Sequence, residues 1–342
     1  MSCEILCARR LAALPPPAAA RPRRFAYLTP LNRRGAWAQP EYGSASWPIA
    51  LGGEFFPYEA PDLAPLEDYD VLLLHTSMAL YGHVARVLEA FPHKTTVLVL
   101  TCDAMYIDPQ GFFPGFATPL KALLDRASLA ISQTEETAFF QAMTRTPVAY
   151  LPLPVPLEAL RAAASGLRPT ASVLLGSGFR AKKNGLASAL AFKRLRERHG
   201  ALTGLVFASD PEAERRAYAA WGIEGVEVRP IVPQPDYWRA AAECSLALHL
   251  DYRRTIGRFS AECAALGIPC ISTASATMQR ACFPALIVPP WDVLGAASLA
   301  DRLLADGDFR RRVLARAADA LEPIALAALA ARLRAILDSF GL

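Results

Sequence analysis

Short apolar runs alternate with helix-length amphipathic segments along almost the whole chain, and that alternation constrains the fold more than any other feature. Runs such as VLLLH (Val71 to His75) and TTVLVLTC (Thr95 to Cys102) have no clear polar face. A strand of that kind has to be covered on both sides, which is the situation of a parallel sheet between two layers of helices. In the first half FAYLTP (Phe25 to Pro30), LAIS (Leu129 to Ser132) and VAYLP (Val148 to Pro152) read the same way. The stretches YGHVARVLEAF, TPLKALLDRA and ETAFFQAM lie between them as helices. The second half repeats the rhythm with strands SVLLG (Ser172 to Gly176), GLVFAS (Gly204 to Ser209), VEVRP (Val226 to Pro230), LALHL (Leu246 to Leu250), CIST (Cys270 to Thr273) and ALIVPP (Ala285 to Pro290).

The rhythm breaks once, at LPLPVP (Leu151 to Pro156), where three prolines favour a stiff, extended connector. A chain of 342 residues is also long for one core and comfortable for two. These observations predict two Rossmann-like α/β domains in tandem, at 24–152 and 153–325. The first 23 residues form a loosely packed or poorly ordered leader, and 326–342 a C-terminal helix near the hinge.

Composition excludes several classes. A net charge of +4 does not mark a nucleic-acid protein, though it suits a cleft for a phosphorylated small molecule. Seven cysteines without a CxxC pair speak for a reducing compartment, with neither a disulfide framework nor a zinc site. No apolar run reaches the ~18 residues that span a bilayer. These readings predict a cytoplasmic protein, with membrane contact at most peripheral, at the inner face. No GxGxxG follows a first strand with an acid about 20 residues on, which counts against an NAD-dependent dehydrogenase.

Open α/β sheets bind ligands beyond the carboxyl ends of their strands, so residues just after strands carry the functional expectations. After SVLLG comes SGFRAKKNG, where Gly176 and Gly178 allow a tight turn and Arg180, Lys182 and Lys183 follow. A helix start near Asn184 with those cations suits a diphosphate; the alternative is a solvated basic turn. After LALHL comes DYRRTIGRFSAECAALG. Gly257 permits close approach of a ligand, Arg258 follows, and a helix begins around Phe259 with its free N–H groups facing an anion. Glu262 reads as a first-turn acid, either favoured there by the helix dipole or accepting hydrogen bonds from a ribose diol. His249 and Asp251, at the end of LALHL, are placed to reach a donor sugar, although Asp251 could equally cap a loop.

This second segment resembles the C-terminal domain of GT-B glycosyltransferases, in particular the family with two glutamates separated by seven intervening residues, followed by a Gly-x-Pro strand (family 4-like). Glu262 matches the second glutamate, Gly267, Ile268 and Pro269 match the sequel, and Gly257 matches a glycine inside the motif. Arg254 stands where the family has its first glutamate, the residue associated with the donor sugar. GFRAKKNG is similar to the family's basic loop, which assigns Arg180 and Lys183 to the donor diphosphate. PPWDVLGAASLADRLLAD (Pro289 to Asp306) is similar to the segment after its last strand.

The resemblance implies a GT-B fold, two Rossmann-like domains with parallel sheets facing across a cleft and C-terminal helices. It implies transfer of a sugar from a nucleoside-diphosphate sugar (UDP, GDP or dTDP linked) to a hydroxyl acceptor on a glycan, lipid or protein, in cell-surface glycan synthesis. No cofactor is required, and the scheme needs no metal. The N-terminal half should take the acceptor. Asp103, directly after TTVLVLTC, is the candidate general base, against an Asx-turn or cap; His75 is a second candidate, against a structural histidine. Asn32, Arg33 and Arg34, before a single Gly35 in the first loop, face the cleft or simply water; Phe112, Phe113 and Phe116 make another loop unusually apolar, and either shape the acceptor site or contact a lipid-linked acceptor, or are buried against the neighbouring helix. Tyr237 and Trp238 read as helix packing. The alternatives are a non-catalytic GT-B module and a GT-B-type sugar-nucleotide epimerase, which would carry more acids around the sugar.

Overall fold

The computed structural model describes residues 23–29, 46–60, 62–100, 117–180 and 183–342. Asp103, Lys182, the three phenylalanines at 112, 113 and 116, the 32–35 loop and all of the leader but Arg23 lie outside the described residues. The chain divides into two units. One runs to Pro154 and takes in Leu326–Leu342; the other is Val155–Ala325.

The first unit is built on a six-stranded parallel sheet of β1 (Phe25–Thr29), β2 (Glu54–Pro57), β3 (Val71–Thr76), β4 (Thr95–Leu100), β5 (Leu129–Ser132) and β6 (Val148–Tyr150). Its order is β2-β1-β3-β4-β5-β6. The central strands are buried along nearly their whole length, as their unbroken apolar runs require. Helices α1 (Ser46–Leu51), α2 (Tyr81–Ala90), α3 (Ala117–Leu124) and α4 (Thr137–Met143) accompany them. Helix α2 turns Val84, Val87 and Leu88 inward, and these join Leu72, Leu74, Leu98, Leu120 and Phe140 in one core. Strand β2 was not expected. EFFP is short, sits at the sheet edge and is only partly buried, so it lacks the continuous apolar pattern of its neighbours.

The second unit carries a five-stranded parallel sheet of β7 (Ser172–Leu175), β8 (Thr203–Ala208), β9 (Val226–Pro230), β10 (Leu246–His249) and β11 (Cys270–Ser272), in the order β11-β10-β7-β8-β9. Its helices are α5 (Leu157–Ala164), α6 (Gly185–Arg198), α7 (Pro211–Ala220), α8 (Gln234–Ala242), α9 (Arg258–Ala265), α10 (Thr277–Cys282), α11 (Val293–Ala305) and α12 (Gly307–Asp319). Trp238 and Phe192 are fully buried against this sheet's helices, and Tyr237 packs edge-on against Phe207 at 5.1 Å. ALIVPP does not form the expected strand. Pro284–Leu286 is a single 3-10 turn, and one bridge from Ser272 to Ile287 is all that joins the sheet. Prolines on both sides remove the donors a ladder needs. Cys244, Cys263, Cys270 and Cys282 are buried free thiols.

After Ala325 the chain returns to the first unit as α13 (Leu326–Ser339). There Arg334 donates to the Leu51 carbonyl at 3.0 Å, and Arg23 pairs with Asp338 at 2.6 Å. Among the described residues no helix is long and apolar enough to cross a membrane.

Candidate active site

In the second sheet β7, β8 and β9 run outward in one direction, whereas β10 and β11 lie on the other side of β7. The strand order therefore reverses between β7 and β10. A crevice forms at such a reversal because the two following loops turn away to opposite faces of the sheet. The segments that follow these two strands carry Arg180 and Lys183 on one side and Asp251 and Gly257 on the other.

The two loops are tied together. Lys183 Nζ donates to Asp251 Oδ2 at 2.6 Å. Asn184 Nδ2 donates to the Leu250 carbonyl at 2.9 Å and to the Pro290 carbonyl at 2.7 Å. Asn184 has φ +51°, the one left-handed non-glycine among the described residues. Asparagine tolerates that region better than most residues, and two carbonyl partners hold it there as α6 begins. Gly185 follows because a side chain is impossible: a Cβ would lie 1.5 Å from the Gly178 carbonyl oxygen. Gly178 has φ +55°, and Glu214 of α7 accepts the next amide, Phe179 N–H, at 2.7 Å. Burial raises the Glu214 pKa, and the Phe179 bond opposes that rise. Arg180 is exposed, with Nε bonded to the Ser177 carbonyl at 3.0 Å.

On the other side, Asp251 is buried at the end of the short connection from β10. Burial alone would raise its pKa, but His249 and Lys183 outweigh that and hold the carboxyl well below the usual range. His249 Nε2 lies 3.7 Å from Asp251 Oδ2, longer than a normal hydrogen bond. Burial lowers the His249 pKa despite Asp251, so the imidazole is neutral. Its ring stacks on Phe259 at 4.7 Å, and both press on Gly176, where a Cβ would sit 2.6 Å from each. His249 Nδ1 and Ser177 Oγ are buried with no partner among the described residues. Burial also lowers the Lys183 pKa, opposed by Asp251.

Gly257, with φ +78°, caps the start of α9, whose first N–H groups have no intrahelical acceptors. The helix starts at Arg258, so Glu262 lies one residue beyond the first turn rather than in it. It is 7% exposed and not a surface cap. Arg258 Nε donates to Glu262 Oε1 at 2.7 Å and Gln234 Nε2 to the same oxygen at 3.1 Å. The i,i+4 pair was readable from spacing; Gln234 was missed, since a neutral amide between prolines gives no charge signal. Glu214 was missed for a similar reason: it sits in an ordinary charged helix, and its link to the loop spans 35 positions.

His75 belongs to the first unit. Its Nδ1 is 3.1 Å from the Tyr27 hydroxyl, and burial brings its pKa down to about 4. Among the described residues no group of three or more His, Cys, Asp or Glu side chains converges as metal ligands would.

Solved structures match this chain over nearly its full length. A sucrose-phosphate synthase from Thermosynechococcus elongatus aligns with TM-score 0.71 at 15% identity, covering 93% of this chain and 99% of that one. An α,α-trehalose 6-phosphate synthase from Burkholderia multivorans aligns with TM-score 0.72 at 13% identity, over 94% and 97%. The chain has the GT-B fold. Anabaena HepE, solved with UDP and glucose, also matches, with TM-score 0.71 at 14% identity over 93% and 100%. No protein-family profile and no curated protein matches the sequence.

Proposed function

We propose that this GT-B protein is a glycosyltransferase that moves a sugar from a nucleoside-diphosphate sugar to a hydroxyl acceptor. The observation that carries the reading is the reversal of strand order between β7 and β10, with Lys183 tied to Asp251 across the two loops that follow and a buried carboxylate, Glu262, held by Arg258 on α9. Cations and helix amides suit a diphosphate, and a fixed carboxylate suits the hydroxyls of a ribose. The solved relatives bound to UDP with glucose and to UDP-2-fluoro-glucose favour UDP as the nucleotide. On this reading the chain belongs with the paired-glutamate family. Arg254 in place of the first glutamate alters contacts to the sugar rather than to the nucleotide.

In the transfer, the bond from the anomeric carbon to the diphosphate oxygen breaks and a bond to the acceptor oxygen forms. Arg180, Lys183 and the α9 amides stabilise the charge that grows on the leaving diphosphate, and such preorganised donors often supply the largest share of catalysis. The acceptor proton passes to a base, for which Asp103 is the candidate and His75 the second. The second unit takes the donor and the first the acceptor, a hydroxyl of a glycan, lipid or protein, on the cytoplasmic side of the membrane.

The test is turnover of UDP-glucose, with UDP release measured alone and with mixed sugar, sugar-phosphate and lipid-linked acceptors. Acceptor-dependent UDP release that is lost in Lys183→Ala supports the proposal. Tight UDP binding with no turnover on any acceptor would make the chain a non-catalytic binding module instead.

A further inference from the structure

Gln234 is a buried amide that the site described above does not yet explain. It is 6% exposed and opens α8, between Pro233 and Pro235, directly after the loop that follows β9. Burying an amide is costly unless it is hydrogen-bonded, and Gln234 spends its donor on a carboxylate rather than on a backbone carbonyl. The flanking prolines narrow its backbone freedom, so the side chain starts from a fixed point.

The two donors to Glu262 differ in what they can fix. Arg258 lies on the same helix one turn earlier, so its bond allows the carboxylate to swing about the contact. Gln234 approaches from a different element and takes the same oxygen, Oε1. Two donors from separate elements on one oxygen set the plane of the group. Among the described residues no hydrogen bond reaches Oε2, and that oxygen is not among the buried atoms without a partner.

We infer that Gln234 is a positioning residue that holds Glu262 with Oε2 turned to the ribose, and thereby selects a ribonucleoside diphosphate over its 2′-deoxy counterpart. The inference rests on the proposed nucleotide site. A hydroxyl donating to a carboxylate that is already ordered keeps its full bond strength, whereas a mobile carboxylate must be ordered on binding.

Calorimetric titration with UDP, GDP and their 2′-deoxy forms tests this on the wild-type chain and Gln234→Leu, with thermal melting to establish folding. The wild type should prefer the ribonucleotide by about tenfold, the size expected for one bond to a charged group. Gln234→Leu should lose most of that preference by weakening the ribonucleotide while leaving the 2′-deoxy form nearly unchanged. If the leucine variant does not fold, Gln234→Asn, whose shorter amide falls short of Glu262, should show the same loss. An unchanged preference, or equal weakening of both forms, overturns the inference. A wild-type chain that binds neither UDP nor GDP overturns the nucleotide site itself.

Discussion

Lys183 and Asp251 are 68 positions apart in sequence and 2.6 Å apart in space, and their ion pair closes the loop after β7 onto the loop after β10. Removing one partner leaves the other charged and largely buried. Asp251→Asn should therefore cost about 2 kcal/mol, read by thermal or urea melting at pH 7. The Asp251 carboxyl is held below its unfolded value, so its stabilisation is complete above about pH 4 and fades as pH falls through the lower folded value. Wild type and Asp251→Asn should accordingly converge in stability in strong acid.

His75 gives a second pH signature with a different window. Its folded pKa is about 4, against about 6.5 for an unfolded histidine. Between those values the unfolded chain binds the extra proton, so stability should fall as pH drops from about 6.5 to about 4. His75→Gln should flatten that part of the urea-melt profile. The imidazole signals of His75 should still read neutral at pH 5.5.

Two glycines of the crevice should respond differently to alanine. At Gly185 the new Cβ meets the Gly178 carbonyl at 1.5 Å, which only backbone movement can relieve, and Gly185→Ala should cost about 3 kcal/mol or more. At Gly257 the φ of +78° and a 2.9 Å contact with Ala276 Cβ predict a smaller loss of about 1–2 kcal/mol. Because Gly257 sets the start of α9, its alanine variant should also bind nucleotide more weakly. Urea melts and UDP titrations of both variants check these expectations.

Strands buried on both faces were plain in the sequence. VLLLH, TTVLVLTC, SVLLG and LALHL carry too much continuous apolar surface for any exposed element, and each forms a strand. The half-polar edge strand EFFP lacked that signal, and ALIVPP carried it falsely, because apolar content outweighed the prolines around it. At the site, glycines and cations after strands could be read from order alone. Pairings could not: Lys183 with Asp251, Glu214 with Phe179 N–H and Gln234 with Glu262 depend on which loops the sheet order brings together. The one pairing within spacing rules, Arg258 with Glu262, lies on a single helix.

The most direct test of the donor site is calorimetric titration of the purified chain with UDP, GDP, dTDP, CMP and NAD, repeated on Glu262→Ala. One nucleoside diphosphate should bind selectively, and the alanine variant should bind it about tenfold or more weakly through loss of the carboxylate's bonds. Equal binding of every diphosphate in both proteins, or selective binding of NAD, would contradict a nucleotide-sugar site centred on Glu262.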